Sequence, residues 1–135
     1  MDRATMDIEL GDMPGGFDRL VGLRITSADG RRVEAVLPVT AELLQAHGIV
    51  HGGVYCSVIE SVTSIGASLR AGLHHQVVGI SNRTQFHRAV RSGTLSITAT
   101  LAGDDAPRQL WDATVTDEDG RLVASGQVHL MRLES

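Results

Sequence analysis

HGIVHGGVYCSVIESVTSIGASLRA, from His47 to Ala71, is the stretch that decides the fold. Apolar residues recur within it at spacings of three and four, the period of a helix with one buried face. They are Val54, Val58, Val62, Ile65 and Leu69. The spacing predicts one long helix over residues 53–71, opened by His-Gly-Gly. A single carboxylate, Glu60, lies on this otherwise largely apolar element.

The segments on either side of the helix have the character of β-strands. Before it, LRITSADGRRVEAVLPV (residues 23–39) places Asp-Gly between two alternating runs, which is a hairpin signal. After it come four segments that alternate in polarity or are rich in β-branched residues: QVVGISNRTQF, GTLSITATLA, QLWDATVTDE and RLVASGQVHLMRL. Short turns or helical pieces are expected at residues 17–21 and 41–45. This order predicts an α+β domain in which one long helix packs on an antiparallel sheet of about five to six strands.

Composition narrows the class of protein. The chain has 135 residues and fits one domain over residues 14–135, after a polar tail over residues 1–13. A net charge of -4 gives no broad basic surface, so no nucleic-acid partner is expected. The single cysteine cannot form an internal disulfide, the first residues lack a signal-peptide pattern, and no apolar run approaches a membrane span. We therefore expect a cytoplasmic protein that does not associate with membranes.

The helix carries a possible set of reactive groups. Its first N–H groups are free to stabilise a developing oxyanion, and Gly52 with Gly53 would let a substrate carbonyl approach the backbone. Glu60 follows about two turns later, and Ser64 lies one turn beyond it on the same side. One helix would then supply both an attacking carboxylate and an oxyanion donor, a combination suited to hydrolysis.

Plainer interpretations exist for each of these residues. Glycines before a helix can be a flexible entry, and a lone glutamate on a helix is usually solvated. His47 and His51 have the spacing of two metal ligands, but no further ligand has a suitable spacing, so we predict no metal and no cofactor. Cys56 fits a small buried thiol better than a nucleophile. The basic stretch FHRAVRSG (residues 86–93) is either a polar loop or a phosphate site.

The motif G-x-x-H-G-G, from Gly48 to Gly53, resembles a known family when it is followed by a long helix and four strands. It is similar to the hotdog-fold acyl-CoA thioesterases of the phenylacetate-degradation type. The resemblance covers about residues 17–133 and includes ES-x-x-S at Glu60 and VVG at Val77 to Gly79. Five residues match the subgroup of 4-hydroxybenzoyl-CoA and 1,4-dihydroxy-2-naphthoyl-CoA thioesterases: Gln45, His51, Gly52, Glu60 and Ser64.

The resemblance implies a role for each matched residue. Glu60 would be the nucleophile or the general base, and the Gly52 N–H would polarise the thioester carbonyl. Gln45 and His51 would orient the acyl end, and Ser64 would hold the attacking water or the substrate. Where the enzymes for aromatic acyl groups often carry a histidine, this chain has Phe86. The expected substrate and coenzyme A contacts are Gly53, Val78, Gly79, Phe86, His87, Arg88, Ala89, Arg91 and Arg108.

The implied function is hydrolysis of an acyl-CoA thioester to a carboxylic acid and free coenzyme A. Two alternatives stay open: a thioesterase for acyl groups carried on a carrier protein, and a non-catalytic acyl-CoA binding module. A pure binding module would gain nothing from an acid beside the thioester. The resemblance also implies a homo-oligomer in which two subunits join their sheets edge to edge and share two sites. A dimer of such dimers is the expected assembly.

Overall fold

The computed structural model describes residues 15–134; the tail predicted over residues 1–13 lies outside them. The fold is one long helix packed on a six-stranded antiparallel sheet whose strand order is β1-β2-β4-β5-β6-β3. The sequence prediction of an α+β domain is confirmed. The elements are α1 Gly16–Val21, β1 Arg24–Ala28, β2 Arg32–Pro38, a 3-10 turn Ala41–Leu43, α2 Gly52–Ala71, β3 Val77–Phe86, β4 Thr94–Asp105, β5 Arg108–Thr116 and β6 Leu122–Arg132.

Most element bounds agree with the sequence prediction. Helix α2 begins at Gly52, one residue before the predicted start, because His51 caps it. Strands β4 and β5 extend beyond the predicted segments, since β4 continues to Asp105 and β5 begins at Arg108. Within residues 15–134, none of the helices combines the length and hydropathy that a membrane-spanning helix needs.

Two Asp-Gly sequences close hairpins. In the β1–β2 turn the Asp29 carboxylate accepts hydrogen bonds from the backbone N–H groups of Arg31 and Arg32, at 2.7 and 2.9 Å. In the β5–β6 turn the Asp117 carboxylate accepts from Asp119 and Arg121 in the same way, at 2.9 Å each. The short polar side chain therefore replaces backbone partners in the turn.

Trp111 fixes helix α2 to the sheet. Its indole is fully buried and lies so close to Gly66 that a Cβ there would be 2.4 Å from Cη2. The indole N–H donates to Gln109 Oε1 at 2.8 Å, and Gln109 Nε2 donates to the Ala67 carbonyl at 3.2 Å. One buried network thus holds the second half of the helix in a single position.

Strand β3 is an open edge of the sheet. It has ten residues and pairs only with β6 among the described strands, whereas the opposite edge, β1, has five. Ile80 and Phe86 on β3 are 49% and 57% exposed. Asn82 ties this edge to the helix, because its Nδ2 donates to the Cys56 carbonyl at 2.9 Å. A long, flat edge with exposed apolar side chains is a surface on which another strand can pair.

Candidate active site

The start of α2 is organised by His51. Its Nδ1 accepts a hydrogen bond from the Gly53 N–H at 2.8 Å, so His51 is the N-cap of the helix. This bond places the proton of the neutral ring on Nε2, and the exposed side chain offers that N–H as a donor. The sequence analysis did not foresee the capping role because Ser, Thr, Asp and Asn are the usual caps. The position directly before the first helical residue was the available signal.

Gly52 presents a free donor at the same place. No described residue accepts its backbone N–H. The ring of Phe86 lies against this glycine, since a Cβ there would be 3.0 Å from Phe86 Cζ. Glycine therefore lets the Phe86 ring lie directly against the helix start. Phe86, predicted as a substrate contact, forms an exposed aromatic wall beside the Gly52 amide.

Gln45 is oriented by the turn that precedes the helix. Its side-chain Oε1 accepts from the His47 N–H, which leaves the amide Nε2 as the free donor end. Its backbone accepts from Gly48 at 2.9 Å and donates to Ile49 at 2.8 Å. Gly48 adopts the left-handed conformation that this turn requires, with φ +79. Gln45, His51 and Gly52 consequently all present N–H groups from the region of the helix start.

The Glu60 carboxylate faces an open surface. It is exposed, and no described residue donates a hydrogen bond to it or pairs with it. It lies against Gly79, where a Cβ would be 3.5 Å from Glu60 Cδ. Ser64, one helical turn further, is half-buried. The predicted pair of acid and hydroxyl therefore lies on the side of α2 that faces the open edge strand.

A surface depression of about 210 Å³ adjoins Glu60. Its walls come from α1, α2 and β3: Phe17, Cys56, Ser57, Glu60, Ser61 and Asn82. Helix α1 is held there by a hydrogen bond of 2.6 Å from the Ser61 hydroxyl to Asp18 Oδ1. The sequence analysis missed Phe17 and Asn82 as site residues because they approach Glu60 only through tertiary packing.

Gly52 and Glu60 are too far apart to act together within one chain. Eight residues of helix separate them, which is about 12 Å along the axis. A carboxylate that attacks a thioester carbon must come within roughly 3.5 Å of it while an N–H holds the carbonyl oxygen. This separation weighs against the expectation that a single helix supplies both groups to one thioester, which stays a prediction. A second chain that contributed one of the groups would remove the separation.

The predicted coenzyme A contacts fall into separate places. Phe86 pairs with Ala124 on β6, whereas Arg108 of β5 pairs with Met131 on the same strand. Seven residues of extended strand span about 23 Å, so Arg108 lies at the other end of the sheet from the loop that follows Phe86. A single chain does not bring Arg108 and Arg88 together.

The remaining predicted contacts cluster at the two ends of β3. His87, Arg88 and Ala89 are exposed in the loop after it, and His87 Nε2 lies 2.8 Å from Ser125 Oγ. The exposed Arg88 side chain forms no hydrogen bond or ion pair with another described residue. Arg91 differs: its Nη1 donates to the carbonyls of His47 and Gly48, at 3.1 and 3.4 Å. Val78 and Gly79 lie near the Glu60 end of the strand, and Gly53 is exposed on the first turn of α2.

Tyr55, on the first turn of α2, is the buried polar group nearest to this region. Its ring centroid lies 6.1 Å from that of Phe86, and its hydroxyl is buried without a hydrogen-bond partner among the described residues. Burial raises the pKa of Tyr55 to about 12. Among residues 15–134, no group of three or more His, Cys, Asp or Glu side chains is placed to hold a metal ion.

A family model described as the thioesterase superfamily matches residues 47–124, more than half of the chain. The matched range contains the helix-start turn, α2 and strands β3 to β5. The chain belongs to the thioesterase superfamily. The six-stranded sheet around one long helix is accordingly the hotdog thioesterase fold, and the protein is an enzyme of thioester hydrolysis. The family resemblance inferred from the sequence is confirmed.

Three relatives within or near this superfamily are similar over most of their length. A Mycobacterium tuberculosis protein with the provisional name of an esterase is 42% identical over 88% of this chain and 87% of its own. Its structure gives a TM-score of 0.87 and covers 90% of this chain and 98% of that one. AziG of S. sahachiroi gives a TM-score of 0.86 at 41% identity over the same shares. The 1,4-dihydroxy-2-naphthoyl-CoA hydrolase of Escherichia coli is 27% identical over 87% of this chain and 84% of its own.

Proposed function

We propose that this thioesterase hydrolyses acyl-CoA thioesters, with Glu60 as the nucleophile or general base. One observation carries the proposal: an exposed carboxylate without a partner faces the open edge of the sheet, on the helix whose first N–H is free. The family membership supplies the reaction class. The names of the E. coli and Listeria monocytogenes relatives, both 1,4-dihydroxy-2-naphthoyl-CoA hydrolases, support a coenzyme A thioester as substrate.

The donors at the helix start would hold the thioester carbonyl. The Gly52 N–H, aided by the N–H groups of His51 and Gln45, stabilises the negative charge that develops on oxygen. Glu60 either attacks the carbonyl carbon or takes a proton from the attacking water, which Ser64 orients. If Glu60 is the general base, the C–S bond breaks and the proton taken from water passes to the departing thiolate of coenzyme A. If Glu60 is the nucleophile, the C–S bond breaks as an acyl–Glu60 anhydride forms, and water then cleaves the anhydride, restores the carboxylate and supplies the proton of the thiol. The products are a carboxylic acid and free coenzyme A.

A dimer completes the site in this proposal. Strands β3 of two chains pair across their open edges, which removes an exposed row of backbone N–H and C=O groups. Glu60 of one chain then approaches Gly52 of the other, which overcomes the separation of about 12 Å within one helix. Two equivalent sites follow from the twofold symmetry. We also expect two such dimers to pair, because the family resemblance implies a dimer of dimers.

The two halves of the substrate take different surfaces. Arg88 in the exposed loop after β3 binds a phosphate of coenzyme A, and Arg108 reaches the same nucleotide only from the second chain. The acyl group lies in the depression beside Glu60, with the ring of Phe17 as its apolar wall.

The decisive experiment is Glu60→Gln, which keeps the size of the side chain but can neither attack nor accept a proton. We expect kcat to fall by about 10²- to 10⁴-fold with little change in substrate affinity. Glu34→Gln, on a strand distant from the helix start, is the matched control and should hydrolyse as the parent does. Thiol release is measured with a series of acyl-CoAs and with the same acyl groups on a carrier protein. Equal rates for Glu60→Gln and the parent would end the catalytic assignment.

Two further measurements separate the remaining alternatives. Single-turnover hydrolysis in ¹⁸O water distinguishes the roles of Glu60, because only a nucleophile that forms an anhydride can end with label in its own carboxylate. Calorimetry identifies a binding module: tight acyl-CoA binding without thiol release would contradict an enzyme acting on that substrate. Faster turnover of the carrier-bound substrate would indicate that the enzyme acts on acyl groups held by a carrier protein and not on acyl-CoA.

A further inference from the structure

The Arg91 side chain is hydrogen-bonded to the turn that precedes helix α2. Its guanidinium Nη1 donates to the carbonyl of His47 at 3.1 Å and to that of Gly48 at 3.4 Å. Gly48 leaves room for this contact, because a Cβ there would lie 3.4 Å from the same Nη1. The guanidinium of Arg91 thus binds two consecutive backbone oxygens, although the side chain is exposed.

The backbone around Arg91 reinforces this contact. Val90 accepts a hydrogen bond of 2.8 Å from the Val50 N–H, one residue before the helix cap. Gly93 accepts a bond of the same length from Val39. The segment of residues 90–93 therefore runs beside the helix-start turn and is fastened to it at both backbone and side chain. We call residues 90–93 together with their bonds to this turn the Arg91 clip.

The clipped turn positions the donors of the proposed site. His47, whose carbonyl Arg91 binds, donates its own N–H to the Gln45 side chain and so fixes which end of that amide is free. Gly48 is followed three residues later by His51, whose ring caps the helix. A displacement of the turn would therefore move the Gln45 amide, the His51 ring and the Gly52 N–H at once.

We propose that Arg91 is a positioning residue for the oxyanion donors and not a ligand of the coenzyme A phosphates. The inference rests on the proposed function and deepens it. The charged guanidinium strengthens these hydrogen bonds and favours one conformation of the turn. Donors of an oxyanion site act only when they are placed to within a fraction of an ångström, and a displacement of 1 Å costs about a hundredfold in rate. Arg91 consequently affects the chemical step through the backbone.

The test compares two arginines of one loop. Arg91→Ala should lower kcat by about tenfold or more with KM nearly unchanged, and by the same factor for acyl-CoA and for the matching acyl-pantetheine, which lacks the phosphates. Arg91→Lys should recover part of kcat because an ammonium can still reach one carbonyl. Arg88→Ala should instead raise KM, and only for acyl-CoA, with a smaller effect on kcat. Arg24→Ala, on the far edge strand, should match the parent.

A structural readout keeps the inference testable whatever the substrate is. Amide hydrogen exchange at Gly48, Gly52 and Gly53 should be faster in Arg91→Ala than in the parent, and partly restored in Arg91→Lys, while exchange in β5 stays unchanged. A KM effect that disappears with acyl-pantetheine would show that Arg91 binds phosphate and would overturn the proposal. Unchanged kinetics and unchanged exchange would overturn it as well. If the parent protein does not hydrolyse acyl-CoA, only the proposed function is refuted. The amide hydrogen exchange rates still test whether Arg91 holds the turn.

Discussion

The Glu60 carboxyl group lies against Gly79, where a Cβ would come within 3.5 Å of Cδ and 3.7 Å of Oε1. Alanine fits at this distance, so Gly79→Ala should keep most of the activity. Valine adds two methyl groups that must displace the carboxylate, and we expect Gly79→Val to lower kcat at least about tenfold. Valine is favoured in strands, so the melting temperature should hold. Parallel thermal melts and kinetics check this, and an active Gly79→Val would remove the contact from the site.

The separation of Gly52 from Glu60 predicts complementation between inactive chains. Gly52→Pro deletes the N–H, whereas Gly52→Ala keeps it under the same crowding by Phe86 and serves as its control. Co-assembly of Gly52→Pro with Glu60→Gln chains should restore about a quarter of the parent activity, since half of randomly paired dimers contain one intact site. Co-expression with two affinity tags provides the mixed dimers. Activity confined to dimers of unmodified chains would place both groups in one chain.

Arg88 should act on binding and not on chemistry. We expect Arg88→Ala to raise KM for acyl-CoA several-fold, more strongly at low ionic strength, with a smaller loss in kcat. The contact is remote from the thioester and is made equally in ground and transition states. Steady-state kinetics at two salt concentrations measure the effect. An equal loss with acyl-pantetheine would indicate a structural defect and not a lost phosphate contact.

Phe17 should set the preference among acyl groups. It is the one aromatic wall of the depression beside Glu60 within the described residues, so Phe17→Ala should reduce kcat/KM for aromatic acyl-CoAs by about tenfold relative to acetyl-CoA. Leu20→Ala is the matched control, since Leu20 lies on the same short helix, is 81% exposed and does not line the depression. An acyl series assayed by thiol release gives the profile. If Phe17→Ala and Leu20→Ala have the same acyl-CoA preference, the acyl group does not bind in this depression.

The hydroxyl of Tyr55 should destabilise the fold at alkaline pH. Tyrosine in the unfolded chain ionises near its ordinary pKa of about 10, but the buried group does so only near about 12. The free energy of unfolding is therefore unaffected by this ionisation below pH 10 and decreases as pH rises towards 12. Tyr55→Phe should lack this loss. At neutral pH it should be more stable by about 1 kcal/mol, because it removes a buried donor without a partner.

Urea unfolding of Tyr55→Phe and the parent between pH 7 and 11 checks both statements. A less stable Tyr55→Phe at neutral pH would mean that the hydroxyl gains a partner in the assembled protein.

The sequence predicted those features that repeat along the chain. The spacing of Val54, Val58 and Val62 revealed the long helix, and the β-branched alternation revealed the strands. The Asp29-Gly30 pair marked the first hairpin turn because the Asp29 side chain bonds to backbone N–H groups two and three residues later. These features needed no knowledge of distant residues, which is why they could be predicted before the fold was known.

Contacts between segments that are distant in the chain could not be predicted from such local patterns. The sequence could not show that the Arg91 guanidinium binds carbonyls more than forty residues earlier in the chain. It could not show the capping of α2 by His51 either, because that contact depends on the orientation of the ring.

The burial of Trp111 against Gly66 gives the protein its own optical reporter. It is the only tryptophan of the chain, and its ring contacts the helix that carries Glu60. Its fluorescence therefore comes from a single environment, apolar and sealed from water. Undocking of the helix should shift the emission to longer wavelength before the strands separate. Time-resolved emission can thus follow the attachment of the helix separately from the formation of the sheet.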